Sequence, residues 1–440
     1  MPVEVNFKKI ARKFDVNICT LRIFNNQIGG LVEEHDKKAI DQQTADFANL
    51  IGITTEELER LQGLSSEDFQ AAIRNKSIGQ QEQIVTEESR QLPDEQIAII
   101  QKLPRVNDAL FIHKFFGFIK KSLKIIPIQA FILRRSALIS LVSYFEFIIA
   151  ELIHSFYSLY PQALPSEERV LSLSDLREIG SIEEAENELI QREIDSLLRE
   201  SLEKQLEYIS KRLKVNLDAL TPYKDRLIEI SQRRNIFVHN DGIVNKIYLT
   251  HVSTELLEDG TKDGMQLDVT EEYLNQAIDS IYISGVMLIQ LCWRKWQKAK
   301  SDEADIVYID LIYEALRENE YEFIRKLKDF STSLEYASDR SKRVIVVNHA
   351  IALRELEEAE EMEEIINTLD WTSCSLEFRA ALLALRKEED KLLKILPTAI
   401  AAKEIGRIEL EEWPLFIPFH KSPDYIELLN SCPKEIELSK

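Results

Sequence analysis

Phe131–Tyr160, with the sequence FILRRSALISLVSYFEFIIAELIHSFYSLY, carries apolar residues on more than one face of a helix. A helix with so little polar surface is expected at the centre of a helical domain, where neighbouring helices cover it. Pro161 and Pro165 follow the segment and should end the helix, because proline cannot continue it. We therefore predict a central core helix here.

The most apolar part of the chain, Ile125–Tyr160, contains this segment. Five ionisable residues interrupt it: Arg134, Arg135, Glu146, Glu151 and His154. A membrane span needs about 20 predominantly apolar residues with few or no charges, so the pattern favours a buried helix and no membrane contact. The carboxylate of Glu146 needs a polar partner in such a helix.

Two further helices are expected after the central one. Glu183–Leu213 is amphipathic, and its apolar residues form one stripe. The stripe consists of Ile190, Ile194, Leu197, Leu198, Leu202 and Leu206. Thr221 and Pro222 form an N-cap and N1 pair that starts the next helix, which runs to His239 and should stop at Gly242.

A fourth helix completes the pattern. Thr270 is placed to cap a helix that runs through Trp296. The connection before it, Ile243–Ser253, has possible strand character, and an Asp259-Gly260 turn follows. Four helices between about residues 129 and 298 predict one four-helix bundle.

Length and composition set the fold class. The chain has 440 residues, more than the roughly 250–300 that one core holds, so two or three domains are expected. Only 12 Gly and 12 Pro leave few of the turns that sandwiches, barrels and propellers need, so we predict an all-α protein. The predicted parts are a small helical domain of unknown role in 1–90, a basic connecting segment or helix in 91–128, the bundle in 129–298 and acidic helical hairpins in 302–440.

The sequence of the first 90 residues predicts short helices. Gly29-Gly30 is expected to end one of them, and the sequences Thr54–Glu57 and Ser65–Asp68 resemble N-caps with acidic first turns. Gly79–Gln91 is rich in Gln and Glu and poor in large apolar residues, which predicts a linker.

The C-terminal part repeats the tripeptide Ala-Leu-Arg at Ala315, Ala352 and Ala384, with spacings of 37 and 32 residues. Each copy precedes acidic residues and another apolar run, which predicts stacked helical hairpins of a weakly tetratricopeptide-like kind. Between Ile351 and Asp390 there are twelve acidic and four basic residues. This region is therefore a possible protein-binding surface and a poor surface for RNA.

The net charge of -21 repels nucleic acid over most of the surface, so any nucleic-acid site has to be a local basic patch. One stretch reverses the sign, because no acidic residue lies between Asp108 and Glu146. Its positive charges are Lys114, Lys120, Lys121, Lys124, Arg134 and Arg135. These side chains either extend along an apolar helix toward solvent or face phosphates.

Several functional classes lack sequence support. The chain has no P-loop, dinucleotide-binding, zinc-protease or hydrolase nucleophile motif. The four cysteines stand far apart, and no histidines form an i,i+4 pair, so neither a disulfide framework nor a metal or other cofactor is expected. Met1–Arg12 lacks the apolar core of a signal peptide, and a cytoplasmic location is expected.

The most informative motif is Ser231–Gly242, SQRRNIFVHNDG, at the end of the third predicted bundle helix. It places Arg234 and His239 five residues apart, with Asn235 beside the arginine. An Arg-Asn followed by His in an R-x4-H arrangement, inside an apolar four-helix bundle, resembles the HEPN superfamily, many of whose members are ribonucleases. The resemblance covers about residues 129–298. It does not extend to the parts of the chain before and after them.

The resemblance implies a metal-independent endoribonuclease, typical of toxin and anti-phage defence systems, that acts as a homodimer with both Arg-His sets in one cleft. It implies catalytic roles for Arg234, His239 and Asn235, with Glu146 as a supporting polar residue. Arg233 is a further candidate RNA contact, in addition to Lys120, Lys121, Lys124, Arg134 and Arg135 of the basic stretch. Histidine exchanges protons near neutral pH, and an arginine fork matches phosphate oxygens, so these residue types suit RNA cleavage by 2'-OH attack.

Purely structural roles are the alternative for the same residues. His239 can interact with the dipole at a helix C-terminus, and Arg234 can pair with Glu229 or with Glu146. A second functional hypothesis follows, in which the bundle is a non-catalytic dimerisation scaffold and the acidic hairpins recruit partners.

Overall fold

The computed structural model describes residues 5–61, 93–103, 128–164 and 171–432. Within these ranges the secondary structure is helical, apart from one isolated antiparallel bridge between Ile243 and Gln266. The predicted all-α class is confirmed. Several sequence predictions fall on residues outside the described ranges: Ser65–Asp68, Gly79–Gln91, Lys114, Lys120, Lys121, Lys124 and Pro165.

The first described helix, α1 (Phe7–Ile51), runs without interruption through Gly29 and Gly30. The prediction that these glycines end a helix is therefore wrong. A glycine inside a helix costs only about 1 kcal/mol relative to alanine, and a buried stripe at helical spacing continues through Gly29 and outweighs that cost. The stripe includes Phe14, Ile18, Leu21, Asn25, Gly29 and Asp36.

The predicted N-cap at Thr54 is confirmed. The Thr54 side chain accepts a hydrogen bond from the backbone N–H of Glu57 (3.1 Å), and the Glu57 carboxylate accepts one from the N–H of Thr54 (3.0 Å). This capping box starts α2 (Thr55–Arg60). The next described helix is α3 (Asp94–Lys102).

The predicted central helix is confirmed as α4 (Ile128–Leu159), and a 3₁₀ turn begins at Pro161. Among the described helices it is the one long and apolar enough to cross a membrane, over Gln129–Leu159, and half of its apolar window is buried inside the protein. That burial fits a core helix of a soluble protein.

The long helix predicted over Glu183–Leu213 is broken. After α5 (Leu173–Ile179), the chain forms α6 (Ile182–Leu198) and α7 (Leu202–Glu207), and a π-helical turn follows at Tyr208–Arg212. Ser201 is the N-cap of α7, because its carbonyl and hydroxyl oxygens accept hydrogen bonds from the first turn of that helix. The stripe has buried residues on both sides of the break, Leu197 before it and Leu202 after it, so it gave no sign of the interruption.

α8 (Thr221–His239) begins at Thr221, one residue earlier than predicted. Thr221 is therefore not the cap, because a 3₁₀ turn at Asp218–Leu220 leads directly into the helix and makes Leu220 the cap residue. Gly242 does end the helix, as predicted. It adopts φ +79° and its N–H donates to the carbonyl of Ile236 (3.0 Å).

The connection after α8 is not a strand. Only Ile243 pairs, with Gln266, and the chain then forms the short helix α9 (Lys246–His251). The predicted cap of the following helix, α10 (Glu271–Trp296), is confirmed, since Thr270 Oγ1 accepts a hydrogen bond from the N–H of Tyr273 (3.1 Å).

The C-terminal part consists of helical hairpins. Its helices are α11 (Ser301–Arg317), α12 (Tyr321–Lys326), α13 (Lys328–Ser333), α14 (Asp339–Glu355), α15 (Ala359–Ile366), α16 (Leu376–Leu385), α17 (Glu389–Ala401), α18 (Arg407–Glu412) and α19 (Pro423–Ser431). Each Ala-Leu-Arg copy lies at the end of the first helix of a hairpin, α11, α14 or α16. A residue with positive φ follows each copy, namely Asn319, Glu357 and Lys387, and the same pair of backbone hydrogen bonds closes each turn.

Backbone contacts divide the chain into two compact units, whose limits differ from the predicted domain boundaries; those boundaries stay predictions. The first unit contains the described residues of Met1–Cys19, Ser140–Gln266 and Asn275–Lys440. In it Phe7 stacks on Trp293 with ring centroids 5.5 Å apart.

The second unit contains the described residues of Thr20–Ile139 and Leu267–Leu274. Two hydrogen bonds hold the start of α4 within it. The N–H of Ala130 donates to Asp36 Oδ2 (3.0 Å), and Arg134 Nε donates to the carbonyl of Val269 (2.6 Å).

Candidate functional site

A cleft of about 470 Å³ lies in the first unit, beside the C-terminal half of α8. Arg234, Asn235 and His239 of α8 line it, and Glu146 of α4 lines it as well. The break between α6 and α7 forms the facing wall, with Leu198, Arg199, Glu200, Ser201, Leu202 and Gln205. The sequence-predicted catalytic residues and Glu146 therefore share one cleft.

Arg234 and Glu146 form an ion pair in this cleft, with Arg234 Nη2 donating to Glu146 Oε1. Both side chains are largely buried, with 18% and 25% of their surface exposed. Burial raises the pKa of the Glu146 carboxyl, although the charge and hydrogen bond of Arg234 oppose that shift. Arg234 Nε is buried and has no hydrogen-bond partner among the described residues. The pair holds the guanidinium in place and leaves one of its donors without a partner.

His239 is exposed and is the last residue of α8. Asn235 lies one turn earlier, at the i−4 position, so both side chains lie on one helix face. Arg234 is five residues before His239, which corresponds to a rise of about 7.5 Å along the axis. No hydrogen bond joins the side chain of Asn235 or His239 to another residue in the described ranges, so both are accessible to a ligand.

Arg233 has a different environment from its neighbour. Its side chain is 2% exposed, and its guanidinium pairs with Glu229 (2.7 Å) and Glu258 (2.9 Å). The hydroxyl of Tyr248 also donates to Glu229 (2.9 Å), and burial raises the pKa of that tyrosine. Arg233 therefore ties the segment after α8 to the helix, and two carboxylates occupy its guanidinium, which does not line the cleft.

Two of the other candidate RNA contacts, Arg134 and Arg135, do not line this cleft. Arg134 belongs to the second unit, where it is buried and paired with Glu33. Arg135 is half-buried in the same unit, and its side chain has an interaction partner. The candidates Lys120, Lys121 and Lys124 lie outside the described residues.

Sequence reasoning missed the wall opposite α8. Arg199 is exposed there, and Gln205 is buried with 2% of its surface exposed. The wall exists because the helix breaks at residues 199–201. The one available signal was Ser201, a favourable N-cap type, but the capping-box Glu or Gln was missing because Lys204 stands three residues later.

Among the described residues, no group of three or more His, Cys, Asp or Glu side chains could hold a metal ion. No protein-family model matches the chain, and no curated protein or solved structure matches it significantly. The HEPN resemblance therefore rests on the residues of the motif alone.

Proposed function

We propose that this chain is a metal-independent endoribonuclease of HEPN type. The observation that carries the proposal is the shared cleft, in which Arg234, Asn235 and His239 lie with the Glu146 carboxylate. A fixed cation, a proton-exchanging group and a polar amide in one cleft match the requirements of phosphodiester cleavage without metal.

In the proposed reaction, the 2'-oxygen attacks the adjacent phosphorus as its proton passes to a base. The bond from phosphorus to the 5'-oxygen breaks, and an acid protonates that oxygen. The products are a 2',3'-cyclic phosphate and a 5'-hydroxyl. His239 exchanges the proton on one side, Arg234 stabilises the charge on the phosphorane, and Asn235 orients the phosphate.

A homodimer completes the proposed site, because one histidine cannot serve as base and acid in the same step. His239 of the partner subunit supplies the second proton-exchanging group. Glu146 keeps the Arg234 fork oriented toward the cleft. The biological setting we propose is a cytoplasmic toxin or anti-phage defence system, in which the acidic C-terminal hairpins bind a protein partner or restrain the site.

The test incubates the purified chain with mixed RNA in EDTA and compares it with His239→Ala and Arg234→Ala. We expect cleavage in EDTA, loss of cleavage in both variants and 2',3'-cyclic phosphate ends on the products. Cleavage that EDTA abolishes, or that survives both substitutions, would contradict the mechanism.

A non-catalytic scaffold is the second candidate. The Arg234–Glu146 ion pair favours it, because such a pair also suits a purely structural link between α8 and α4. This alternative predicts that the wild-type chain leaves RNA intact. It also predicts that Glu146→Gln lowers the melting temperature and changes no reaction rate.

A further inference from the structure

Gln205 lines the cleft and carries a buried acceptor without a partner. Its side chain is 2% exposed, and its Nε2 donates to the backbone carbonyl of Glu200 (3.0 Å). Its Oε1 is buried and has no partner among the described residues. Exchanging the two amide atoms would set Oε1 against the Glu200 carbonyl oxygen, so the atom without a partner is an acceptor.

An unmade hydrogen bond at a buried polar atom costs about 1–3 kcal/mol, and such atoms in native proteins call for an explanation. The cleft contains two of them with opposite polarity. Arg234 Nε–H is a donor without a partner, and Gln205 Oε1 is an acceptor without one. Both residues line the same cleft, so a ligand there that carries an acceptor and a donor would satisfy both atoms once the two side chains turn toward it.

A ribonucleotide strand has this pattern. Its phosphates carry only acceptor oxygens, and each ribose adds a 2'-hydroxyl that can donate a hydrogen bond. DNA retains the phosphates and lacks this donor. A peptide also has both kinds of group, but its backbone does not provide the charge that the Arg234 guanidinium favours.

We propose that Gln205 is a positioning residue that recognises RNA by accepting a hydrogen bond from a ribose 2'-hydroxyl, while Arg234 binds a neighbouring phosphate. This inference rests on the proposed ribonuclease function. An amide cannot take up a proton, so the hydroxyl that Gln205 holds belongs to a nucleotide beside the cleaved linkage and is not the attacking group. The interaction fixes the strand along the cleft and rejects DNA.

The test measures binding of two single-stranded oligonucleotides of the same mixed sequence, one with 2'-hydroxyl and one with 2'-fluoro groups, which accept but cannot donate. Full-length His239→Ala serves as the background, so that neither strand is cut. We expect this protein to bind the 2'-hydroxyl strand roughly 3- to 10-fold more tightly, the worth of one hydrogen bond. Adding Gln205→Met should reduce the ratio to about one.

Gln232→Met is the matched control, because it makes the same change at another glutamine that lines the cleft. It should leave the preference for the 2'-hydroxyl strand intact. A preference that survives Gln205→Met, or that Gln232→Met removes equally, overturns the proposal. If Gln205→Met does not fold, the binding of the two strands to His239→Ala alone is the test. Equal binding of the two strands overturns the proposal, and tighter binding of the 2'-hydroxyl strand supports it.

The outcomes separate this inference from the function on which it rests. If the wild-type chain cleaves RNA and Gln205→Met keeps the preference, only the role of Gln205 fails. If the wild-type chain never cleaves RNA but the preference depends on Gln205, the ribonuclease proposal fails and the recognition role stands. If the protein binds neither strand, both fail.

Discussion

His239 is exposed at the edge of the cleft, whereas His349 is completely buried in α14 of the C-terminal hairpins. His349 Nε2 lies 2.7 Å from Ser331 Oγ, and the Tyr308 hydroxyl lies 2.6 Å from the same oxygen. Ser331 Oγ also lies 2.8 Å from the carbonyl oxygen of Leu327, so the three side chains form one buried hydrogen-bonded cluster. Burial, with a smaller effect of Lys328, lowers the pKa of His349 to about 3.

The two histidines differ in whether a ligand can reach them. A His-Ser-Tyr cluster looks reactive in composition, but at 0% exposure for His349 and Ser331 it has no route to a substrate and serves the packing of the hairpins. The adjacent arginines of α8 repeat the contrast, since Arg233 pairs with the buried Glu229 and the exposed Glu258, whereas Arg234 keeps one donor without a partner.

The largest expected effect comes from replacing each of the two histidines by glutamine in separate variants. We expect His239→Gln to lower the rate of RNA cleavage by about 10²- to 10⁴-fold, the usual contribution of a general acid or base. Its melting temperature should hardly change, because the side chain is exposed. His349→Gln should show the reverse, with a lower melting temperature and an unchanged rate where the protein is folded. A rate loss in His349→Gln alone would contradict the assignment.

The neighbouring arginines offer the next largest effect. Arg233→Met leaves the buried Glu229 carboxylate without its closest cation, which should cost about 3 kcal/mol in the free energy of unfolding. Arg234→Met should cost less, because Glu146 remains partly exposed to water. Urea unfolding of the two variants measures both values. Equal destabilisation would mean that Arg234 is as structural as Arg233.

The buried histidine also predicts a pH dependence of stability. Its pKa is about 3 in the folded chain and about 6.5 when unfolded, so below about pH 6.5 the unfolded chain binds a proton that the folded chain does not. Stability from this residue is complete above that pH and falls as the pH drops toward 3. Between about pH 7.5 and pH 5, the wild-type chain should lose about 2 kcal/mol more than His349→Gln. Parallel losses in urea unfolding would contradict this.

The smallest effect concerns the proposed restraint by the acidic hairpins. Deleting everything after about residue 302 is a poor test, because Phe323 stacks on Tyr282 (4.7 Å) and Asp305 pairs with Arg294 (2.7 Å), so truncation would expose part of the core. Charge neutralisation avoids that damage. Its targets are the exposed glutamates Glu357, Glu360 and Glu364.

Changing these three residues to glutamine should raise RNA cleavage a few-fold at low salt and less at high salt, because salt screens exposed charges. The matched control neutralises the exposed Glu183, Glu184 and Glu186 of α6. An equal rise in the control would assign the effect to net charge alone, and an unchanged rate would remove the proposed restraint.

Periodicity predicted the elements whose apolar pattern was long and regular. It placed α4, the end of α8 at Gly242 and the cap of α10 at Thr270 correctly. It failed at Gly29-Gly30, where packing outweighs propensity, and at residues 199–201, where the apolar stripe continues across a break in the helix. The motif drew attention to Arg234, Asn235 and His239, which do line the cleft together with other residues of α8. It could not separate Arg233 from Arg234, because their difference lies in Glu229 and Glu146, which come from different parts of the chain.

The turns that follow the three Ala-Leu-Arg copies have a consequence for how this protein can vary. Each closes a hairpin with the same two backbone hydrogen bonds and one left-handed residue, and none of them requires glycine. A duplication or loss of roughly one hairpin changes the length of the C-terminal array while every remaining turn keeps its own closure. We therefore expect a variant that is longer or shorter by one whole hairpin to keep the cleft that Arg234 and His239 line.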